Sequence, residues 1–248
     1  MSQKNEILFE KRESIGIIIL NNPPHNYLYD PEFLDIKSVV KWITDNKLKG
    51  LILTGVGRNF SAGADLKTLF EQASDIKQIE KKISKGKKVL SFLENINIPT
   101  VAAINGICFG GGLEIALSCH IRVSSDNSLF AFPESNYSLI PGLGGLLKLY
   151  GICGVKKTLE IALSGNTFDA SNALSNKIID IIVPKNELID YSVDYLKKLT
   201  ANRDLEVINS IVVSLNNAKR LDIETGMKEE TKLFCKLAYI EAKKKDVK

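Results

Sequence analysis

Two runs in this chain are apolar without a break, GLILT at residues 50–54 and TVAAI at residues 100–104. Both are too short for a buried helix. A strand wetted on one face alternates apolar and polar residues, whereas one covered on both faces does not. Each run leads through a glycine-punctuated loop into a helical pattern, and strands that alternate with helices build an α/β core with a partly parallel sheet. The flanking segments fit. Residues 7–13 and 17–21 read as strands joined by a tight turn at 14–16. Asp30-Pro31-Glu32 reads as a helix start, with Asp30 as N-cap and a stripe of Phe33, Ile36, Val40 and Ile43 behind it. Residues 64–70 and 75–94 read as helices, 113–119 as a helix, and 121–125 and 128–132 as short strands. Helices are expected at 144–150, 155–163 and 169–175, a strand at 178–183, and a helix from Pro184 to 199. Beyond about residue 200 the pattern is wholly helical.

Composition narrows the function classes. The 248 residues are 44% hydrophobic and 25% charged, as in an ordinary globular protein. A net charge of +4 does not by itself argue for nucleic acid, though a phosphate-bearing substrate fits it. His25 and His120 are the only histidines, which argues against a histidine-rich metal site. Cys108, Cys119, Cys153 and Cys235 match no CxxC pattern and read as small buried residues in a reducing compartment. No stretch has 18 apolar residues, and the first residues lack an apolar signal core, so a cytoplasmic location is expected, with no membrane partner.

Three segments carry the chemistry: Phe60-Ser61-Ala62-Gly63-Ala64-Asp65, Asn105 to Glu114 with Gly110-Gly111-Gly112, and Phe132-Pro133-Glu134 followed by Pro141-Gly142-Leu143-Gly144-Gly145. In the first two, small residues precede a helix, where free N–H groups and the positive end of the helix dipole suit an anion. Glycine lets a ligand approach the backbone closely. A triple glycine alone reads more simply as a tight strand-to-helix turn. A surface carboxylate is the default for a glutamate, but the neighbours of Glu114 (Leu113, Ile115, Ala116 and Leu117) leave it little polar helix face.

In order and spacing these segments resemble the crotonase (enoyl-CoA hydratase/isomerase) superfamily, from GIIILNNPP to the helical tail. The resemblance implies a spiral of ββα units over residues 1–195 holding a thioester site, then a C-terminal helical oligomerisation region over 196–248, assembled as homotrimers or homohexamers. It places the oxyanion hole on the backbone N–H groups of Ala64 and Gly111. It gives Glu114 and Glu134 as the catalytic pair, which adds water syn across a trans-2-enoyl thioester, reversibly, through an enolate. Coenzyme A would lie along Ala62, Asp65, Leu66 and Lys67; Lys67 would meet a phosphate there, or else is a solvated helix lysine. No metal or cofactor is implied beyond the thioester of the acyl-CoA or acyl-carrier substrate. Other enolate chemistry on the same scaffold, such as isomerisation, decarboxylation or polyketide-type steps, is the alternative, although the isomerases and decarboxylases generally lack one of the two glutamates.

The chain departs from the family pattern at His25-Asn26-Tyr27, where Tyr27 replaces the usual alanine and a basic residue is missing; His25 offers a substitute contact. His120 stands in place of the usual aspartate, and Leu146-Leu147-Lys148 in place of TQR. Lys77, Lys81, Lys85 and Lys88 share one helix face. That comb suggests phosphate contacts with RNA, but a solvated face beside the apolar Ile76, Ile79, Ile83 and Leu90 is the simpler reading, so a nucleic-acid partner is not expected.

Overall fold

The computed structural model describes residues 6–71 and 75–246. It opens with a hairpin, β1 (Ile7–Arg12) antiparallel to β2 (Ile15–Leu20). Glu13 takes a φ of 56° in a turn that lies earlier than the expected 14–16, because Ile15 already pairs with Arg12. α1 (Ile36–Asp45) has its cap five residues after the expected Asp30. Asp35 is the N-cap, accepting from Lys37 N, while Asp30 accepts from Glu32 N in a local turn ahead of the helix. The stretch between stays non-helical and buries Phe33 and Leu34.

β3 (Gly50–Gly55) leads to α2 (Leu66–Glu71), and α3 (Ile76–Asn95) crosses back over the core. α2 begins after the expected Ala64 because Asp65 caps it, accepting from Thr68 N at 3.0 Å. β4 (Thr100–Ile104) and the short β5 (Ile107–Phe109) precede α4 (Gly111–Ala116). β6 (Ile121–Ser125) and β7 (Leu129–Ala131) repeat that pair, followed by a 3-10 turn over Pro133–Tyr137. α5 (Gly145–Ser164) breaks at Gly154, where φ is 75°, which divides it into the two expected helices. β8 (Phe168–Asp169), α6 (Ala170–Ser175) and β9 (Ile181–Val183) complete the strands, and the last is shorter than the expected 178–183. α7 (Leu188–Thr200), α8 (Leu205–Ala218) and α9 (Ile223–Asp246) finish the chain. Residue 195 falls inside α7.

The strands form two sheets. One has six strands in the order β1-β2-β3-β4-β6-β9, parallel from β2 onward; the other has the order β5-β7-β8. Successive turns of the chain therefore lay a long strand in the first sheet and a short one in the second. Ser61 bridges Cys108 and extends the second sheet by one residue of the preceding turn. The unbroken apolar runs are explained by two cores. Ile52, Val101 and Ala103 face α7 with Ile15, Ile17, Val193 and Leu196. Leu51, Leu53, Ala102 and Ile104 face the opposite side with Phe60, Phe130 and Phe132. Two of the four cysteines depart from the buried expectation: Cys108 and Cys119 are buried, Cys153 is half-buried and Cys235 is exposed.

Candidate active site

Two loops lie side by side at one end of the sheets. Asn26 is fully buried with a φ of 50°, a conformation that asparagine tolerates better than most residues. Its Nδ2 donates to the carbonyls of Val56 and Asn59 at 3.0 and 2.7 Å, and its Oδ1 accepts from Asn22 N. Ser61 Oγ donates to Asn26 O at 2.7 Å. Ala62 N donates to His25 O, Leu28 N to Gly63 O, and Asp65 N to Leu28 O. Leu28 thus brackets Ala64 in a parallel bridge, and the N–H of Ala64 points away from that bridge. Gly111 is the first residue of α4, so its N–H has no partner within the helix. Among the described residues no protein acceptor pairs with either N–H. The close approach depends on Gly63, at φ 82°: a Cβ there would stand 2.9 Å from Gly111 N and 2.7 Å from Phe109 O.

Two carboxylates meet the same space in different surroundings. Glu114, on α4, is only 2% exposed. Its Oε1 accepts from Leu143 N and Gly145 N, both at 2.7 Å, at the start of α5. Gly145 has to be glycine, since a Cβ would lie 2.8 Å from Glu114 Cγ and 2.7 Å from the Phe132 ring. Burial pushes the Glu114 carboxyl above the ordinary glutamate range, while the two N–H bonds and the charges of Lys148 and Lys87 pull it back. Glu134, in the 3-10 turn, has no such cation. Burial first and the charge of Glu114 second, against a hydrogen bond from its own N–H, raise it to about 7. Its buried Oε2 has no hydrogen-bond partner. The arrangement favours a carboxylate at Glu114 beside a neutral carboxyl group at Glu134, because like charges close together and poorly solvated do not both ionise.

All eight expected site residues line one cavity of about 640 Å³: Ala62, Ala64, Asp65, Leu66, Lys67, Gly111, Glu114 and Glu134. Much of its remaining wall is apolar, from Leu69, Phe70, Ile79, Ile83 and Leu143, with Tyr27 and Tyr137. The N–H groups of Ala62 and Asp65 are already taken by His25 and Leu28. His25 is exposed, its ring centroid 5.3 Å from that of Tyr27. The four comb lysines are exposed; Lys85 pairs with Glu32 at 2.6 Å, and Ile76 of the adjoining stripe is 74% exposed, not buried. Sequence reasoning gave no role to Asn26, Asn59 or Gly145. Asn59 ties Pro24 O to Ile107 N and thereby joins the loops. Among the described residues no helix is long and apolar enough to cross a membrane.

This fold and site define a crotonase-type α/β enzyme, and comparison with known proteins bears on which kind. The family profile for enoyl-CoA hydratase/isomerase matches residues 10–247. A short-chain-enoyl-CoA hydratase of Clostridium acetobutylicum is 30% identical, over 93% of this chain and 88% of that protein. A fatty acid oxidation complex subunit alpha of Idiomarina loihiensis is 34% identical over 80% of this chain, which spans only 29% of that longer protein. A crystal structure of enoyl-CoA hydratase subunit I from Geobacillus kaustophilus superposes with a TM-score of 0.85 at 28% identity, covering 99% of this chain and 95% of that one. The chain belongs to the enoyl-CoA hydratase/isomerase family of the crotonase superfamily.

Proposed function

We propose that this protein hydrates trans-2-enoyl thioesters to 3-hydroxyacyl thioesters, reversibly, with no metal or cofactor beyond the thioester's own carrier. The observation that carries the reading is the pair of unlike glutamates beside two unpartnered N–H groups in one apolar cavity. The thioester oxygen would accept from Ala64 N and Gly111 N. Each fixed donor in a water-poor site lowers the barrier by ~3–4 kcal/mol as charge develops on that oxygen. Glu114, as carboxylate, takes a proton from the water that attacks Cβ. Glu134, as acid, gives its proton to Cα on the same face. Each transfer is worth roughly 10²–10⁴-fold. The two carboxyls have then exchanged protonation states, and exchange with solvent resets them.

The wall of Leu69, Phe70, Ile79 and Ile83 suits an uncharged acyl chain. Coenzyme A is the carrier we assign, its phosphates meeting Lys67, with an acyl carrier protein as the alternative. Isomerisation or decarboxylation needs only one carboxyl group, which leaves the second glutamate without a task. The test is loss of the conjugated absorbance of a crotonyl thioester, with the product identified as the 3-hydroxyacyl thioester. A double-bond shift without water uptake would move the assignment to an isomerase.

A further inference from the structure

We propose that Lys148, anchored by Glu94, is a positioning residue for Glu114: it holds the first turn of α5 against that side chain and supplies the positive charge that keeps it a carboxylate. The kinetic part of this proposal rests on the hydratase reading; the structural part does not.

Glu114 is 2% exposed, and a carboxyl group so far from water tends to neutralise itself. A neutral carboxylic acid cannot take a proton from water. Something in the fold has to favour the charged form, and two N–H groups at the start of α5 do part of it. Lys148 lies one turn into that helix, its own N–H donating to Gly144 O at 3.1 Å. Its side chain folds back on the same turn. The ammonium Nζ is 3.7 Å from where a Cβ on Gly144 would stand, between the two residues that donate to Glu114. The ammonium also pairs with Glu94 near the end of α3, and the two side chains are 19% and 33% exposed. The pair therefore ties α5 to α3 directly behind the turn that grips Glu114.

Among the described residues, the charges that act on Glu114 are those of Lys148 on α5, Lys87 on α3 and Glu134 on the 3-10 turn. Lys87 is solvent-exposed, so water and salt screen it more than they screen Lys148. Glu134 has neither cation behind it, and this asymmetry makes one glutamate the base and the other the acid.

The variant that tests this is Lys148→Met, which keeps most of the stem and removes the charge. The acid limb of the pH profile of kcat/KM is expected to move toward neutral pH by on the order of 1 unit, the lower end of what a lost opposite charge does to a carboxylate. The alkaline limb and KM should change little, and Lys148→Arg should restore the profile. A carbon-13 NMR titration of the Glu114 carboxyl, assigned with Glu114→Gln, reads the same shift without turnover. If the wild type hydrates no enoyl thioester, the hydratase reading fails and the NMR titration alone decides the role of Lys148. Lys148→Gln, which keeps a hydrogen bond to Glu94, is the second variant should the methionine protein not fold, and it should shift in the same direction. A folded variant whose Glu114 titrates as in the wild type overturns the proposal.

Discussion

Glu114 and Glu134 are the same residue type in two environments, and the difference between them sets the proposed chemistry. Glu134 has the more exposed consequence. Its folded value of about 7 lies above the ordinary glutamate range near 4.5. A group with a raised folded value lends stability that is complete below its unfolded value and is lost as pH rises through the folded one. Glu134→Gln, which cannot ionise, should therefore melt higher than wild type above about pH 8, with the advantage shrinking as pH falls toward the ordinary carboxylate range. Melting curves of the two proteins across that window check this; equal curves at every pH would remove the case for a buried acid. Much at this scale was legible in the sequence. Glu114 was conspicuous because its helix neighbours are apolar, whereas Ala64 and Gly111 stood out only as members of small-residue turns ahead of helices. Asn26 was not legible in its role. Its hydrogen bonds go to Val56 and Asn59, about thirty residues away, and they exist only after the strand ends are in place. Gly145 was hidden for the same reason, since the groups that exclude a side chain there belong to Glu114 and Phe132.

Elements show a similar division. β3 and β4 were plain from their apolar runs, because burial on both faces leaves no choice of residue. β5 and β8, three and two residues long, have no pattern of their own and are defined by partners in β7. The start of α1 was misplaced because two aspartates five residues apart both fit a cap, and only the burial of Phe33 and Leu34 chooses Asp35. His120, where the family usually has aspartate, couples elements. Its Nδ1 accepts from Thr100 N at 3.1 Å, which places the ring proton on Nε2, facing Asn216 Oδ1 of α8 at 3.3 Å. Burial, then Lys219, then Arg122 hold its pKa below the ordinary histidine value, against the bond to Asn216. Protonation would set an N–H on Nδ1 against the N–H of Thr100. A depressed histidine lends stability that is present above its unfolded value of about 6.5 and is lost as pH falls. The melting temperature of wild type minus that of His120→Asn should thus decline between about pH 7.5 and pH 5. Taking the difference cancels the opposite trend from Glu134. A difference that is flat with pH would show that His120 does not couple α8 to the core through its neutral form.

At the scale of the whole molecule, the six-stranded sheet has a core on each face, one carrying the site and the other held by α7. Ile208 and Val212 of α8 are buried within the chain, whereas Ile211, Leu215 and Phe234 are 55%, 59% and 69% exposed on the C-terminal helices. Leu147, Val155 and Leu163 of α5 are more than 60% exposed as well. Apolar surface on that scale marks association, and we expect a homotrimer or homohexamer; light scattering at micromolar concentration that gives a monomer would count against it. Fold class was readable at this scale because alternation of buried strands and helices admits few architectures, whereas assembly depends on surfaces that a single chain leaves open. The two-glutamate site is the centre of the proposed chemistry. Its most direct test is hydration of a crotonyl thioester by wild type, Glu114→Gln, Glu134→Gln and the double variant, each shown to be folded by circular dichroism. Wild type should hydrate the substrate, and each single variant should lose at least ~10²-fold in rate. The double variant should be little worse than either, since both side chains serve one water. A folded Glu114→Gln protein that hydrates at the wild-type rate would contradict it.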